Sequence, residues 1–306
     1  MEIVSLFAGA GGLDLGMIQA GHRVIWANDI DPDSCETYKK NIGDHIHCED
    51  ITQTDFSKIP NSDVIIGGFP CQGFSLANLL RAPEDSRNTL YKYFYSLVKE
   101  KQPRYFLAEN VRGILSLGKG EVIKQIVKDF SNAGYKVAYK VFNTADYGVP
   151  QTRVRVIIAG TRKGLSKKSD YQFPEARLDK ENWISISEAL KNIPEPEGCH
   201  GLKNHVYSKY KVTNRNFTGH RTTNPDKPSP TILARGNGKG GVCAIQHPKN
   251  HRRMSVRESA LIQTFPREFE FTGSMTSMYR QIGNAVPVKF AKALGEKLAE
   301  LEKVEI

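Results

Sequence analysis

The 306-residue chain lacks a long apolar run, a secretory signal and closely spaced cysteine pairs, the features of membrane proteins, secreted proteins and proteins with a structural zinc site. No apolar run approaches the roughly 18 residues that a membrane helix needs. The first residues, Met1 to Val4, enter a β-rich run without the basic region or cleavage site of a secretory signal. The five cysteines are scattered and form no Cys-x-x-Cys pair, which argues against a disulfide framework and a structural zinc site. We therefore expect a cytoplasmic protein with reduced thiols, no membrane contact and no metal.

Acidic residues are scarce in the second half of the chain. Residues 1–160 hold 18 Lys and Arg against 18 Asp and Glu, whereas residues 161–306 hold 25 against 15, so the whole net charge of +10 lies in the second half. Between residues 199 and 257, Asp226 is the single acid beside twelve Lys and Arg. Such a surface gains affinity for a polyanion by releasing counterions from phosphates, which makes nucleic acid the expected partner. A merely solvated basic surface is the alternative.

Short β-rich runs alternate with helical patterns over residues 1–132. This alternation predicts a doubly wound α/β fold with a parallel sheet. Two further β-rich runs, 135–142 and 153–159, are separated only by a loop and predict an antiparallel hairpin at the sheet edge. The other predicted strands cover residues 2–7, 23–28, 46–49, 63–66 and 104–108, and the predicted helices cover residues 13–20, 33–41, 89–101 and 121–132.

Past about residue 163, Pro-, Asn- and Gly-rich sequence predicts a smaller, loop-rich region with one helix over residues 185–192. Ser255 and Glu258 have the spacing of a capping box before an apolar run. Pro287 suits the first position of a closing amphipathic helix over residues 287–302, which we expect to pack back on the sheet.

A glycine turn at residues 7–16 (Phe-Ala-Gly-Ala-Gly-Gly-Leu-Asp-Leu-Gly) follows the first predicted strand, and Asp29 ends the second. Such a turn lets a ligand approach the backbone, and the acid can accept both ribose hydroxyls, which indicates an adenosine-containing cofactor. Asp14 stands where a dinucleotide fingerprint has glycine or alanine, and its charge disfavours a pyrophosphate. A nucleoside is therefore favoured over NAD or FAD. Asp50 can take the adenine amino group, with Ile51 against the ring; taken singly, each residue is equally explained by turn chemistry.

Cys71 follows the fourth predicted strand, within the run Ile-Ile-Gly-Gly-Phe-Pro-Cys-Gln-Gly-Phe-Ser at residues 65–75. In a strand-end loop after a rigid proline, the thiol faces the ligand crevice, where a nucleophile is needed. The alternative is that Cys71 is a small buried hydrophobic residue. Glu109 ends the next strand, where its carboxyl can share that crevice or merely cap a helix. Arg153 and Arg155 alternate with apolar residues, which puts both on one face of the last strand and requires an anionic partner or solvent.

In this order, the motifs resemble those of the DNA cytosine-5 methyltransferase family. Pro70-Cys71-Gln72 together with Glu109-Asn110-Val111 is a highly specific pair, whereas the glycine turn alone is weak. The resemblance spans residues 3–290 except for the basic segment. It rests on residues 7–16, Gly68-Phe69-Pro70-Cys71-Gln72, Glu109-Asn110-Val111, Gln151-x-Arg153-x-Arg155, Arg257-Glu258-Ser259, Gln263-x-Phe265-Pro266 and Gly283-Asn284-Ala285-Val286-Pro287.

The resemblance implies the Rossmann-like methyltransferase fold with a mostly parallel seven-stranded sheet. It also implies S-adenosylmethionine as methyl donor and S-adenosylhomocysteine as product. Cys71 would add to carbon 6 of cytosine, because carbon 5 is a poor nucleophile until this addition. Glu109 would hold nitrogen 3 and the exocyclic amine, and Arg153 and Arg155 would orient the base and its phosphate. No stacked base reaches such a site, so the cytosine must flip out of the duplex.

By the same resemblance, the segment with Asn284 returns to the cofactor pocket. This makes the large domain discontinuous, with residues 1–175 and 274–306 forming the catalytic domain and residues 176–273 a small target-recognition domain. Ile30 stands where many relatives have a large aromatic residue beneath adenine, which implies different packing there. The implied cofactor residues are Phe7, Gly9, Gly11, Asp29, Ile30, Asp50, Ile51, Pro70, Leu90 and Asn284.

Residues 199–250 correspond to the variable target-recognition segment of the family. Thr231-Ile232 resembles its short Thr-Leu element. The glycine-rich run 236–241 would let the backbone approach the major groove, where Arg235 or Lys239 can read guanine; a phosphate clamp is the alternative. The residues expected to contact DNA are Ser75, Arg221, Thr231, Arg235 and Lys239.

A chain of this size resembles bacterial or phage enzymes that mark self DNA. We expect a monomer in the bacterial cytoplasm or nucleoid that modifies double-stranded DNA at the site of a cognate restriction endonuclease, without a stable complex. Three alternatives differ in class. The same chemistry can act on transfer RNA; a non-catalytic DNA-binding protein is disfavoured by the intact Cys71 and Glu109; and a nucleotide-dependent oxidoreductase is disfavoured by Asp14 and the terminal hairpin.

Overall fold

The structure is a computed structural model that describes residues 1–70, 89–166, 169–198, 201–209, 222–235, 244–249 and 251–304. Its first half alternates strands and helices, with ends within about three residues of those predicted. The strands are β1 (Glu2–Leu6), β2 (Arg23–Asp29), β3 (Ile46–Cys48), β4 (Val64–Gly67), β5 (Tyr105–Val111), β6 (Tyr135–Asn143), β7 (Gln151–Thr152), β8 (Val154–Arg162) and β9 (Ser229–Pro230). The α-helices are α1 (Gly12–Gln19), α2 (Pro32–Asn41), α3 (Thr89–Lys101), α4 (Glu121–Asn132), α5 (Ile186–Ala189), α6 (Val256–Ile262), α7 (Met275–Asn284) and α8 (Val288–Val304).

Seven strands form one sheet in the order β3-β2-β1-β4-β5-β8-β6. The first five strands in this order are parallel, and β8 runs antiparallel to both β5 and β6. The doubly wound fold, the mostly parallel seven-stranded sheet and the antiparallel edge hairpin are therefore confirmed. Because the parallel strands point the same way, the segments that follow them meet at the edge of the sheet formed by the carboxyl ends of these strands. We call this edge the sheet edge or the cofactor edge.

Both faces of the sheet are buried at the central strands β1, β4, β5 and β8, whose successive residues point to opposite faces and pack in two different cores. In β1, Ile3 packs in one apolar core and Val4 in another, and Leu107 and Phe106 of β5 divide in the same way. This double burial explains why the strands read as continuous apolar runs. Among the residues that the structure describes, no helix is long and apolar enough to cross a membrane.

The closing helix α8 packs on α1 against the sheet, as predicted. Its Phe290, Leu294 and Leu298 belong to the same core as Ile3. A side chain at Gly16 of α1 would clash with Ala291 of α8, so the close approach of the two helices depends on this glycine.

Three elements differ from the predictions. Arg153 does not begin the last strand; it separates β8 from β7, because β7 leaves the large sheet to pair in parallel with β9. The helix predicted over residues 185–192 is only the short α5. Helix α7 was not predicted, and with α6 it builds a third apolar core that includes Phe265 and Ile232. The capping box of Ser255 and Glu258 is present at the start of α6.

Candidate active site

The glycine turn after β1 adopts left-handed backbone conformations. Gly9 and Gly11 have φ of 57° and 84°. A side chain at Gly11 would clash with Ile42, whereas a Cβ at Gly9 would meet nothing within 4 Å. The turn is therefore closed by packing on its Gly11 side and open on its Gly9 side, which leaves room for a ligand at the backbone.

The Asp29 carboxylate joins the turns that follow β1 and β2. Its Oδ2 accepts a hydrogen bond from Gly9 N at 2.7 Å, and its Oδ1 accepts one from Asp31 N at 2.9 Å. Burial raises the pKa of Asp29. Each oxygen keeps a lone pair that can accept a ribose hydroxyl. Ile30, the next residue, is 65% exposed and offers an apolar surface beside this carboxylate.

Asp14 lies in the protein interior, in the first turn of α1. Ser5 Oγ and Tyr38 Oη donate hydrogen bonds to its two carboxylate oxygens at 2.7 Å and 2.8 Å. Burial raises the pKa of Asp14 to about 6. The sequence places this charge at the ligand, where it disfavours a pyrophosphate. The structure buries the carboxylate instead, and its hydrogen bonds connect the first turn of α1 to Ser5 of β1 and Tyr38 of α2.

The other predicted cofactor residues follow neighbouring strands of the same edge. Asp50 and the buried Ile51 come after β3, and Asp50 Oδ1 accepts a hydrogen bond from Thr52 N at 2.9 Å. Pro70 is exposed after β4, and Leu90 is half-buried in α3. The strand order brings these segments to one edge, and the role of each residue in the cofactor pocket stays a prediction.

The C-terminal end of α7 also reaches the glycine turn. A Cβ at Gly12 would lie 3.1 Å from the Cβ of Ala285. The exposed Asn284 is the last residue of α7 and precedes this contact. A segment far along the chain therefore returns to the cofactor edge of the sheet.

Glu109 and Arg155 form an ion pair at the ends of the neighbouring strands β5 and β8. Arg155 Nε lies 2.6 Å from Glu109 Oε1, and the two side chains are 10% and 13% exposed. Arg155 Nη1 also donates to Val154 O at 2.8 Å. The other oxygen of Glu109, Oε2, would lie 3.2 Å from a Cβ at Gly68, so the carboxylate sits directly against the end of β4.

Asn110 ties the end of β5 to the segment that leads into the cysteine motif. Its Nδ2 donates to Phe69 O at 2.9 Å, and its Oδ1 accepts from Val111 N at 2.9 Å. Phe69 is two residues before Cys71, which itself lies outside the described residues. Sequence reasoning missed Asn110, although it stands beside Glu109 in the motif.

Arg153 is 1% exposed, and its guanidinium joins two distant segments. Nη1 donates to Ile232 O at 3.0 Å and Nη2 donates to Gly283 O at 2.9 Å. Burial, together with the nearby charge of Arg155, lowers the pKa of Arg153 to about 9, so it stays protonated at neutral pH. Its observed partners are backbone carbonyls, and its predicted contact with the substrate stays a prediction.

Two buried glutamines extend this connection. Gln151 Nε2 donates to Gln263 Oε1 at 2.8 Å, and Gln151 Oε1 accepts from Ile232 N at 2.9 Å. Gln263 Nε2 donates to Ile282 O at 2.7 Å. Sequence reasoning gave neither glutamine a role, because the partners are far apart in the chain.

The family model of C-5 cytosine-specific DNA methylases matches residues 1–236 and 218–300. The chain belongs to this family. It is 40% identical to the Type II methyltransferase M.NgoFVII of Neisseria gonorrhoeae, over 96% of this chain and 86% of that protein. It is 38% identical to the Type II methyltransferase M.MthTI of Methanothermobacter thermautotrophicus, over 97% of each. The crystal structure of the S. pombe Dnmt2 methyltransferase shares the fold, with a TM-score of 0.73 and 19% identity over 100% of both chains.

As a C-5 cytosine DNA methylase, the chain is a DNA (cytosine-5-)-methyltransferase (EC 2.1.1.37) that uses S-adenosylmethionine and releases S-adenosylhomocysteine. The residues at the sheet edge fit this cofactor. The open space at Gly9 admits a ligand, the Asp29 oxygens can accept ribose hydroxyls, and the exposed Ile30 can contact a ring.

The methylase residues expected to contact DNA are only partly within the described structure. Thr231 is half-buried, and its Oγ1 donates to Thr152 O at 2.8 Å beside the β7–β9 pair. Arg235 is exposed. Ser75, Arg221 and Lys239 lie outside the described residues, and all five DNA contacts stay predictions.

Proposed function

We propose that this methylase transfers a methyl group to carbon 5 of a cytosine flipped out of duplex DNA, at one short target sequence, through a covalent adduct with Cys71. The position of Glu109 carries the proposal. Its carboxylate lies against Gly68, and Asn110 holds Phe69, so the carboxylate adjoins the segment that leads into Cys71. A thiol and a carboxyl acting on one ring need such proximity.

The proposed chemistry begins with addition of the Cys71 thiolate to carbon 6, which makes the electron pair of the 5,6 double bond available at carbon 5. Bound S-adenosylmethionine supplies the electrophilic methyl group. A proton held between Glu109 and nitrogen 3 neutralises the negative charge that addition places on the ring, and the other Glu109 oxygen accepts a hydrogen bond from the exocyclic amine. Arg155 fixes the orientation of that carboxylate. Loss of the carbon 5 proton then expels the thiolate and restores the double bond.

Base flipping follows from the depth of the carboxylate. The Glu109 side chain is only 13% exposed between two strand ends, so a base stacked in a duplex does not reach it. The basic second half of the chain would hold the phosphates. Four of the proposed DNA contacts lie within it, Arg221, Thr231, Arg235 and Lys239, and the fifth is Ser75 of the first half. Residues 176–273 form the proposed recognition domain.

The Type II methyltransferase names of the relatives support a role in restriction and modification. In this role the chain acts as a monomer that marks host DNA at the site where a separate endonuclease cuts. No stable complex with that endonuclease is needed, because the two enzymes share only the DNA sequence.

A genome-wide map of 5-methylcytosine after expression in a host that lacks this base tests the target. We expect methylation confined to one short sequence and no methylation from Cys71→Ser. Methylation spread over unrelated sequences would overturn the target specificity, and methylated transfer RNA beside an unmethylated genome would overturn the DNA target.

A second experiment isolates the covalent step. In a duplex with 5-fluorocytosine at the mapped position, carbon 5 carries no removable proton, so the adduct should persist through denaturing electrophoresis. The wild-type chain should be trapped, and Cys71→Ser should not. A trapped complex of unchanged yield with Cys71→Ser would exclude Cys71 as the nucleophile.

A further inference from the structure

We propose that Glu195, His247 and His251 form a binding site for Zn²⁺ or a chemically similar transition-metal dication. Within the described residues, these three side chains bring a carboxylate oxygen and two imidazole nitrogens within 4.8 Å of one another. Imidazole and carboxylate are a ligand set that Zn²⁺ accepts, and water can complete a tetrahedral shell. The site lies apart from Glu109 and the glycine turn and does not depend on the proposed reaction.

A hairpin places the two histidines together. Its stem is closed by a hydrogen bond from His247 N to Arg252 O at 2.9 Å and by one from Met254 N to Ile245 O at 3.0 Å. The two imidazole rings have centroids 5.1 Å apart and planes at 84°. The rings therefore meet edge to face, which keeps the two imidazoles in contact at one end of the hairpin.

The carboxylate ligand is oriented by a buried guanidinium. Arg252 Nε donates to Glu195 Oε2 at 2.7 Å. The other end of Arg252 is fixed by Glu258, a 1% exposed side chain whose two oxygens accept from Nη1 and Nη2 at 2.8 Å and 2.7 Å. Metal ligands in proteins are commonly held by such outer hydrogen bonds, which prepare their geometry before the ion arrives.

The charges around the site are nearly balanced. Glu195 and Glu258 face Arg252 and Lys249, and Lys249 Nζ lies 3.8 Å from Glu195 Oε1. The Lys249 side chain is 74% exposed and can swing into solvent when an ion binds. Glu195 and His251 are 42% and 45% exposed, so an ion and its water molecules have access.

The contacts that an ion would replace are weak. His251 Nε2 lies 3.3 Å from Glu195 Oε2, and Lys249 N lies 3.3 Å from His247 Nδ1. Both distances are at the long end for a hydrogen bond, so ligation costs little in lost contacts.

The placement of the ligands gives the ion a structural role. Glu195 precedes the segment of residues 199–250, and His247 and His251 lie at its far end. An ion bound to all three would link the two ends of this segment in the folded chain. Because the unfolded chain does not hold the three ligands together, the free energy of binding would add to the stability of the fold. We therefore expect Zn²⁺ to raise the Tm of the protein.

Zn²⁺ titration against a chromophoric chelator tests the site. His251→Gln and Glu195→Gln retain side chains of similar size and hydrogen-bonding capacity but remove metal ligands. The matched controls are Glu197→Gln, which removes the same charge two residues away, and His47→Gln, which removes an exposed imidazole on β3. Because the cysteines also bind Zn²⁺, the readout is the difference between variants rather than the total.

We expect the wild-type chain and both controls to bind one more equivalent of Zn²⁺ than His251→Gln or Glu195→Gln, and Zn²⁺ to raise Tm only in the former group. Circular dichroism without metal shows whether each variant is folded. Equal Zn²⁺ stoichiometry and equal Tm shifts in all five proteins would overturn the proposal. If one ligand variant does not fold, the other decides the outcome.

Discussion

The cofactor edge of the sheet and the loop-rich region of residues 176–273 hold their functional residues by different means. At the edge, parallel strands bring their ends together, and one short contact from Gly9 N to Asp29 joins two turns. The loop-rich region has few strand or helix residues among those described. Its backbone carbonyls therefore need other partners, because a buried carbonyl without a hydrogen bond is costly.

Buried arginines supply those partners. Arg257 is fully buried and donates to Lys203 O at 2.9 Å, Pro266 O at 3.3 Å and Phe269 O at 2.6 Å. Arg153 does the same for Ile232 at the border of the two regions. In this region, the five N–H donors of a planar guanidinium satisfy backbone carbonyls, which in the sheet are satisfied by hydrogen bonds between strands. Folding at the sheet edge thus depends on backbone pairing, and folding of the loop-rich region depends on a few side chains.

The largest expected effect is a fall in kcat, caused by a substitution at the sheet edge. Glu109→Gln keeps the size of the side chain but removes the charge that pairs with Arg155. We expect kcat to fall by roughly 100- to 1000-fold, the range for losing one stabilising group in an active site. Urea unfolding should show a protein that still folds cooperatively but is less stable by about 3 kcal/mol, because the nearly buried Arg155 loses its charged partner. The control is Glu121→Gln on the exposed start of α4, and a Glu109→Gln enzyme within threefold of that control would contradict the assigned role.

The next effect concerns stability in the loop-rich region. Arg257→Met should lower the free energy of unfolding by about 4 kcal/mol, because three buried carbonyls lose their donor. Arg280→Met removes an exposed ion pair with Asp31 and should cost less than about 1 kcal/mol. Equilibrium urea unfolding measures both. Similar losses in the two variants would show that buried guanidinium groups do not hold this region.

Stability measured over a range of pH compares two buried acids, Asp14 near the sheet edge and Glu258 in the loop-rich region. Asp14 accepts from two hydroxyl groups and a backbone N–H but has no cationic partner, and burial raises its pKa to about 6. Burial also opposes ionisation of Glu258, but the hydrogen bonds from Arg252 and from Ser255 N, together with the charge of Arg252, outweigh it and lower the pKa of that side chain. A buried acid without a cationic partner is therefore costly when charged, whereas an acid paired with a buried arginine is favoured when charged.

Proton linkage gives the direction in which the Asp14 contribution to stability changes with pH. A carboxyl whose pKa is raised in the folded state binds more protons there than in the unfolded chain. Its stabilising contribution is complete below pH about 3.8 and is lost as pH rises through about 6. From pH 4 to pH 7, the wild-type chain should lose up to roughly 3 kcal/mol relative to Asp14→Asn, measured by urea unfolding. Parallel stability profiles would contradict the shift.

The two regions also differ in how far the sequence predicts them. Strands and helices of the first half follow from local periodicity, and the positions of Asp29 and Glu109 at strand ends follow from the strand order of the fold. The contacts of Gln151 with Gln263 and of Arg153 with Gly283 join residues more than a hundred positions apart. No local pattern marks such pairs, so the interior of the loop-rich region was not predictable. Helix α7 does have a local signal that the prediction missed, the N-cap Ser274 before an amphipathic run.

Asp14 shows that burial of a side chain is hard to predict from local sequence even in the better-predicted first half of the chain. The sequence indicates an acid at a turn, but the choice between a surface beside the ligand and a buried position depends on Ser5 and Tyr38. These two donors come from a strand and from another helix, and only their packing brings them to the carboxylate.

The smallest expected effect on stability tests whether the open side of the glycine turn is the cofactor site. Gly9 and Gly21 both have left-handed φ, 57° and 94°, and a Cβ at either would meet nothing within 4 Å. Gly21 precedes β2 and therefore lies at the opposite edge of the sheet from Asp29. Gly9→Ala and Gly21→Ala should each cost about 1 kcal/mol from backbone strain alone.

Only Gly9→Ala should also weaken S-adenosylmethionine binding, because its methyl group enters the space above the turn. Isothermal titration should show a Kd about tenfold higher, which corresponds to about 1.4 kcal/mol. The Gly21→Ala chain should bind as the wild type does. Wild-type affinity in both variants would place the cofactor away from Gly9. The same loss of affinity in both variants would mean that backbone strain at either edge of the sheet spreads to the cofactor site.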